Sequence, residues 1–334
     1  MSKERRLFGL LVLLEAALFA WLILTRRLPR GHDTLGMYLQ QYLFLAQATQ
    51  THAAALWMPG TAQGLITNLT ASLRPPAIMP SPGAMPAGSY MAKIRRQGRL
   101  IAGVDQNTLL FAYRQPSTTR IQGFEVDLLR QVAKAIFGDP NRLELKALTT
   151  SQRLSAVQSG AVDIVADAVT ITCARRRQVA FSTVYYDAKQ KLLVPASSRV
   201  GSIADLRHKR VCATTGSTTK LELEQDPAKP IPYAVPQRTD CLVALQEGRV
   251  PAVSSDDALL LGLRTQDPNT KIVGPSMADE PWGMAINLRH PDFVRFVNGV
   301  LAKVRSDGDW KAIHRRWIGR LAPTPAPPRP RYRD

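Results

Sequence analysis

The sequence is poor in the residues and motifs on which most enzymes and metal centres depend. It has three cysteines and five histidines in 334 residues. No two of them have the spacing of metal ligands, and they show no nucleophile–base pairing. A Gly-rich phosphate loop is also missing. The sequence therefore gives no indication of a metal site or of nucleophilic catalysis, and we expect no cofactor.

Acidic residues are also scarce, with 26 Asp and Glu against 44 Lys and Arg and a net charge of +18. An excess of this size suggests contact with nucleic acid or with an anionic membrane surface. The basic residues are scattered, however, and no basic run alternates with aromatics. CxxC fingers and arginine-glycine repeats are missing as well. We predict no nucleic-acid partner and a solvated basic surface near anionic lipid.

The N-terminal region contains one long apolar run, Leu7–Leu24, interrupted only by Gly9 and Glu15. About 20 residues cover the hydrocarbon core of a bilayer. Basic residues flank the run on both sides, and no A-x-A-like cleavage site follows it. We predict an uncleaved membrane anchor, a transmembrane helix within residues 1–30, with a cleaved signal peptide as the alternative.

Composition divides the rest of the chain. Residues 31–73 have apolar residues at helical spacing and predict a juxtamembrane stalk. Residues 74–91 are rich in Pro and Gly and predict a linker, and residues 322–334 predict a disordered Pro-rich tail. Between them, short apolar runs alternate with helical segments, which is typical of βαβ units in an α/β fold with a mainly parallel sheet.

Within this region the pattern predicts several individual elements. Leu100–Val104 reads as a buried strand and Phe124–Phe137 as a helix that ends at a glycine. Val162–Thr172 is predicted as one long strand. In the second half we predict a helix over Cys241–Glu247 and another over Phe293–Arg305.

The most informative stretch is residues 169–175, where a β-type run ends in hydroxyls and is followed by an arginine. Thr170 can hydrogen-bond a carboxylate or an ammonium without a charge penalty. Arg175 offers a planar set of donors that matches a carboxylate bidentately. This combination favours a zwitterionic amino acid as ligand, although a strand-end threonine with an arginine five residues on is a weak signal by itself.

Seven motifs follow one another along the chain over about residues 92–320. They are Gly123–Leu128, Thr170–Thr172 with Arg175, Phe181-Ser182, Tyr185-Tyr186, Asp205–Val211, Pro281–Ile286, and Asp307-Gly308 with Trp317. In order and spacing, these motifs resemble the bacterial extracellular solute-binding proteins of family 3, the polar amino-acid receptors of ABC importers. Within that family the chain looks most similar to actinobacterial glutamine/glutamate-binding lipoproteins, but it has the apolar anchor in place of the lipidated cysteine.

The resemblance implies a two-lobed, periplasmic-binding-protein-like (type II) fold with crossing hinge strands. One lobe would comprise residues 92–193 plus 282–321, and the other residues 194–281. The ligand would lie between them, beyond the carboxyl ends of the strands. The implied function is capture of a polar amino acid (Gln, Glu, Asn or Asp) at the extracytoplasmic face of the membrane and its delivery to ABC permease subunits.

The resemblance also assigns the ligand's main-chain groups to particular residues. Arg175 would pair with the carboxylate, and Thr170 and the carbonyl of Ala168 would bracket the carboxylate and ammonium. Asp256 falls where the family places its ammonium-binding carboxylate, and a helix cap is its other reading. In the second lobe, the turn that contains Thr215, Ser217 and Thr218 would offer backbone N–H groups to the carboxylate, or would be an ordinary capped turn.

The side chain of the ligand is less well determined. Asp105 would accept hydrogen bonds from an amide and would repel a second carboxylate, whereas Arg153 would favour that carboxylate. Asp167 is placed to neutralise Arg153. An exported domain permits a disulfide between Cys212 and Cys241, which would leave Cys173 free.

Two other function classes fit the same pocket. The stalk and anchor could report ligand-driven closure to a membrane sensor partner without transport. An enzyme on this scaffold, such as a periplasmic dehydratase of a cyclic amino acid, would need a tuned acid or base facing the ligand. An intact set of Thr170, Arg175 and Asp256 favours holding a ligand, so we predict that the chain is not an enzyme.

Overall fold

Two β-sheets define two lobes in the described part of the chain, residues 69–333 of a computed structural model. The strands are β1 (Ser72–Leu73), β2 (Leu100–Val104), β3 (Asn107–Thr108), β4 (Ala112–Arg114), β5 (Ile121–Gln122), β6 (Leu143–Ala147), β7 (Ile164–Val165), β8 (Ala180–Phe181), β9 (Tyr186–Pro195), β10 (Arg210–Thr214), β11 (Ile231–Val235), β12 (Ala252–Asp256), β13 (Thr270–Val273), β14 (Asp279–Trp282), β15 (Ala285–Ile286) and β16 (Tyr332–Arg333). The helices are α1 (Tyr90–Arg96), α2 (Phe124–Phe137), α3 (Arg153–Ser159), α4 (Cys173–Arg176), α5 (Thr218–Gln225), α6 (Arg238–Gln246), α7 (Asp257–Gln266), α8 (Pro291–Ser306) and α9 (Asp309–Trp317).

The first lobe is built on a sheet of order β6-β2-β7-β15-β8, in which β2 is parallel to both neighbours and β15 antiparallel to its own. Helix α2 packs against this sheet and against α8 and α9. Its fully buried residues include Phe124, Leu128 and Val132, spaced by one helical turn. The helix ends at Gly138, whose φ of 79° provides the left-handed cap that the sequence predicts.

The second lobe has a sheet of order β11-β10-β12-β9-β13, with β10 parallel to β11 and β12. A disulfide joins Cys212 on β10 to Cys241 on α6, with a Cα–Cα distance of 5.5 Å, and both residues are buried. The predicted disulfide is therefore confirmed, and Cys173 is free and exposed. Helix α6 begins at Arg238, three residues before the predicted start.

The lobes are connected by a two-stranded antiparallel ribbon, the hinge ribbon, formed by β9 and β14. The first half of β9 pairs with β14, with Tyr186 opposite Trp282 and Lys189 opposite Asp279. From Gln190 onward, β9 belongs to the second sheet. These strands are the crossing connections that the family resemblance implies, and they place Glu280 and Trp282 between the lobes.

The prediction of one long strand over Val162–Thr172 is wrong. Only Ile164–Val165 forms a strand, because Ala168 has a positive φ of 46° that breaks the extended backbone. Thr170 re-enters an antiparallel bridge with Trp282. The apolar residues of this run are buried, as their hydrophobicity indicates. The backbone nevertheless turns at Ala168, and this turn places side chains in the space between the lobes.

The predicted disorder of residues 322–334 is wrong for the described residues 322–333. Strand β16 pairs in parallel with β1, and the Ser72 N–H donates to the Arg331 carbonyl at 2.9 Å. The last residues of the predicted stalk are thus part of the fold, since the Ser72 hydroxyl donates to the Phe181 carbonyl of β8 at 2.6 Å. Tail residues Pro328, Arg329 and Arg331 line a cavity of about 310 Å³ together with residues of β9 and β14.

The predicted anchor over residues 1–30 and most of the predicted stalk lie outside the described residues. Among residues 69–333, none of the helices combines the length and the apolar character that crossing a bilayer requires.

The clasp formed by β1 and β16 depends on Asn298 of α8, which is fully buried. Its side-chain amide donates to Ser72 Oγ at 2.8 Å and to the Leu73 carbonyl at 2.7 Å, and its oxygen accepts from the Thr183 N–H at 2.7 Å. We predict that Asn298→Ala lowers the free energy of unfolding by about 2–4 kcal/mol, because buried partners lose their hydrogen bonds. Urea unfolding measures this, with the exposed Asn141→Ala as control. Equal stability of the two variants would contradict the prediction.

Candidate functional site

Charged side chains are concentrated in the space between the lobes. Each of them is at most 7% exposed, which is unusual for charged groups and requires partners for all of them. The members of this buried cluster are Asp105, Arg153, Asp167 and Arg175 from the first lobe, Arg238 and Asp256 from the second, and Glu280 from the hinge ribbon.

Arg238 links the two lobes. It is the first residue of α6, and its guanidinium contacts the carboxylate of Asp105, which directly follows β2 of the first lobe. The same nitrogen lies 3.0 Å from Asp167 Oδ1. Thr108 Oγ1 also donates to Asp105 at 2.8 Å. These carboxylates raise the pKa of Arg238 against the opposing effect of burial, so the guanidinium stays charged.

Arg153 and Asp167 form the inner part of the cluster. The Arg153 guanidinium donates to the carbonyls of Asp167 and Ala168 at 2.6 and 3.2 Å and lies 4.0 Å from the Asp167 carboxylate. The positive φ of Ala168 exposes these carbonyls to Arg153, and the Ala168 N–H donates to Glu125 at 2.7 Å. The Ala168 carbonyl, predicted as a ligand contact, is therefore already an acceptor for Arg153.

Arg175 and Thr170 lie together, as the sequence predicts. The Arg175 guanidinium donates to the Thr170 carbonyl at 2.9 Å and, across to the second lobe, to the Gly216 carbonyl at 3.1 Å. Burial, followed by the charge of Arg153, lowers the pKa of Arg175 to about 9, which keeps it protonated at neutral pH. The Thr170 hydroxyl donates to Glu280 and lies 3.2 Å from Thr218 Oγ1.

The turn before α5 contributes fewer groups than its sequence suggests. The Thr215 N–H donates to the Val235 carbonyl at 2.8 Å, and Ser217 caps α5 by accepting from the Lys220 N–H at 3.1 Å. Thr215 and Ser217 are thus engaged within the second lobe, whereas Thr218 faces the cluster. A Cβ on Gly216 (φ 81°) would come within 2.9 Å of the Ser151 Cα, so this turn approaches the first lobe only with glycine there.

Asp256 and Glu280 face the cluster from β12 and β14. Asp256 precedes α7 but does not cap it, because its carboxylate accepts from Trp282 Nε1 at 2.7 Å. Glu280 accepts from the Thr218 hydroxyl at 2.7 Å in addition to that of Thr170. Burial raises the pKa of both carboxyls, and the neighbouring Glu280 raises that of Asp256 further.

The sequence pattern of the bacterial extracellular solute-binding proteins, family 3, matches residues 100–320, about two thirds of the chain. The chain belongs to this family. The resemblance seen in the sequence is therefore confirmed, and the family places the protein outside the cytoplasm. Both the family and the relatives described next are solute-binding proteins rather than enzymes.

Several characterised relatives of this family 3 protein are similar over most of their length. The ABC transporter glutamine-binding protein of Bacillus subtilis is 31% identical over 229 residues, which cover 68% of this chain and 84% of the relative. The glutamate/aspartate import solute-binding protein of Salmonella typhimurium is 26% identical over 259 residues, covering 74% and 84%. The structure of an ancestral arginine-binding protein bound to glutamine matches with a TM-score of 0.62 at 29% identity, covering 66% of this chain and 98% of that one.

Sequence reasoning missed two members of the cluster in this solute-binding protein. Glu280 directly precedes the Pro281–Ile286 motif, so its position in a hinge strand was a usable signal. Arg238 had no such signal in the sequence, because its partners Asp105 and Asp167 are 133 and 71 positions away in the chain. The predicted side-chain contacts Asp105 and Arg153 both already have protein partners.

We predict that Arg238→Met loosens the contact between the lobes. Without the guanidinium, two buried carboxylates from the first lobe would be left facing the second, and breaking a buried ion pair costs about 3–5 kcal/mol. We expect a melting temperature about 5–10 °C lower and a larger radius of gyration in small-angle scattering. Arg249→Met, on an exposed pair of the same lobe, is the control. An unchanged radius and melting temperature in Arg238→Met would show that the pair does not hold the lobes.

Glu125 gives the stability a pH dependence. Burial, with repulsion from Asp167, raises its pKa to about 7 although it accepts from Tyr185 and Ala168. In the unfolded chain the Glu125 carboxyl loses its proton at lower pH than in the folded protein. Glu125 therefore lowers the free energy of unfolding progressively as pH rises from about 4.5 to 7. We predict that Glu125→Gln removes about 2–3 kcal/mol of the stability loss between pH 5 and 8.

The measurement is urea unfolding of the wild-type protein and Glu125→Gln at both pH values, with the exposed Glu247→Gln as control. A pH dependence that is the same in the wild type and in Glu125→Gln would refute this assignment.

Proposed function

We propose that the protein is an extracytoplasmic receptor that captures a polar amino acid between its lobes and delivers it to an ABC permease. The observation that carries the proposal is the buried arrangement of Arg175 and Thr170 on the first lobe with Asp256 and Thr218 on the second. A guanidinium, two hydroxyls and a carboxylate are the groups that recognise both charges of a zwitterion. The relatives that bind glutamine and glutamate or aspartate support the ligand class.

In this proposal Arg175 pairs with the ligand's carboxylate. Its guanidinium has five N–H donors, and the hydrogen bonds to Thr170 and Gly216 use two of them, so donors remain for a bidentate partner. Asp256 takes the ammonium, while Thr170 and Thr218 bond the two charged groups from opposite lobes. Ligand contacts from both lobes would add to the closing contact made by Arg238.

The ligand's side chain would meet Asp105 and Arg153, as predicted from the sequence, with Asn107 beside them. Asn107 Nδ2 donates across the cleft to Gln237 Oε1 at 3.3 Å. These groups are all polar, and two buried atoms beside them, Arg153 Nε and Asp167 Oδ2, have no hydrogen-bond partner among the described residues, so an apolar side chain would leave them unpaired. The pocket therefore favours Gln, Glu, Asn or Asp.

We also propose that residues 1–30 anchor the receptor to the membrane. The support is the apolar run Leu7–Leu24 with basic residues on both sides. An anchor in this position would keep the receptor close to its permease.

The test is a thermal-shift screen of the full chain in mild detergent against the twenty amino acids. A ligand at a hundred times its Kd adds about 2.7 kcal/mol of stability, which is roughly 5–10 °C. We predict a shift with Gln, Glu, Asn or Asp that Arg175→Ala abolishes. Arg177→Ala, an exposed arginine two residues away, should retain it. No shift with any amino acid would reject the receptor function, and chemical conversion of the ligand, followed by mass spectrometry, would indicate an enzyme.

A further inference from the structure

The hinge ribbon brings a second carboxylate to the place where Asp256 faces the first lobe. Glu280 and Trp282 are two residues apart on β14, so their side chains point to the same face of the strand. Trp282 Nε1 donates to the Asp256 carboxylate at 2.7 Å, and the Glu280 carboxylate, 1% exposed, is near enough to repel that of Asp256. One face of a single strand therefore fixes both carboxylates.

Few cations are available to these two carboxylates. Arg238 and Arg153 act on Asp256 from a distance, but both are engaged by Asp105 and Asp167. The neighbours of Glu280 are the hydroxyls of Thr170 and Thr218, the Arg175 guanidinium and the carboxylate of Glu222 on α5.

The local charge is therefore unbalanced. Five carboxylates are buried here (Asp105, Glu125, Asp167, Asp256 and Glu280) against three guanidinium groups (Arg153, Arg175 and Arg238). Burial raises the pKa of Glu125 to about 7, so in acidic solution this residue carries a proton of its own. Uncompensated buried charge is costly, so the other four carboxylates need one further positive charge, either a proton or a ligand cation. Burial raises the pKa of both carboxyls, and the charge of Glu280 raises that of Asp256 further, which agrees with a retained proton in the absence of ligand.

We propose that Asp256 and Glu280 form a two-carboxylate subsite for the ammonium group of the ligand, and that ligand binding releases the proton that the pair otherwise shares. The inference rests on the proposed function, since it assigns a second partner to the same ligand. The ammonium group arrives already protonated and donates to both carboxylates. The displaced proton leaves to solvent, so charge and atoms balance.

This arrangement links affinity to pH. Below the pH at which the empty pair loses its proton, ligand and proton compete, and affinity rises as pH rises, by at most tenfold per unit for one proton. Above that pH the affinity is constant. Analogues without an ammonium group gain no binding free energy from this subsite, because the pair then keeps its proton as in the empty protein.

The experiment is isothermal titration calorimetry of the full chain with the amino acid that gives the largest thermal shift, from pH 5 to 8. At each pH the titration is run in two buffers of different ionisation heat, which counts the protons released. We expect the wild type to release close to one proton at low pH. Glu280→Gln should release markedly fewer, bind at least tenfold more weakly at pH 7.5 and have a flatter pH profile. Asp279→Asn, the neighbour on the opposite face of β14, should behave as the wild type.

Thr218→Val provides a second variant if Glu280→Gln does not fold. It keeps both carboxylates but removes one hydroxyl that stabilises the ionised form, so proton release should persist and extend to higher pH. Proton release that is absent in the wild type, or unchanged in Glu280→Gln, would overturn the two-carboxylate subsite while leaving the receptor function intact. A wild type that binds no amino acid would instead reject the receptor function, and the subsite with it.

Discussion

The arrangement of this protein depends on one buried guanidinium that is shared between its lobes. Arg238 starts a helix of the second lobe, yet its partners Asp105 and Asp167 belong to the first. Charges in such a place are costly without partners, so the contact is made in full only when the lobes lie together. The hinge ribbon connects the lobes, and the ion pairs of Arg238 with Asp105 and Asp167 favour one relative position of the two lobes.

The groups proposed to hold the ligand surround this pairing. Arg175 donates to a carbonyl on each lobe, and Thr170 and Thr218 approach each other from opposite sides. Glu280 joins them from the ribbon itself. In the proposed function, ligand recognition and lobe closure use the same buried polar network. A ligand that displaces a protein partner from one of these groups then has to satisfy that group equally well.

The sequence predicts those parts of the site that are local in the chain. Thr170 and Arg175 are five residues apart, and Asp256 ends a recognisable strand, so pattern and family resemblance are sufficient to find them. Arg238 could not be found in this way, because its importance arises from residues 71 and 133 positions away. Glu280 lay next to a noted motif but reads locally as an ordinary strand residue.

The fold shows the same division between local and distant information. Helix α2, with its regular apolar spacing and terminal glycine, is predicted from end to end. The apolar run after Val162 is misread as a continuous strand because hydrophobicity reports burial and not the turn at Ala168. The Pro-rich tail is misread as disordered because its order comes from a partner strand more than 250 residues earlier in the chain.

The clasp between β1 and β16 also determines which lobe bears a force that is applied through the N-terminal segment. Residues 69–73 contact the first lobe through Arg176, Phe181 and Asn298, and Thr70 also lines the cavity beside the hinge ribbon. A mechanical load that enters at residue 69 is therefore carried first by these hydrogen bonds to the first lobe and by the parallel strand pair. If the first lobe is held in this way, closure of the cleft would be a movement of the second lobe.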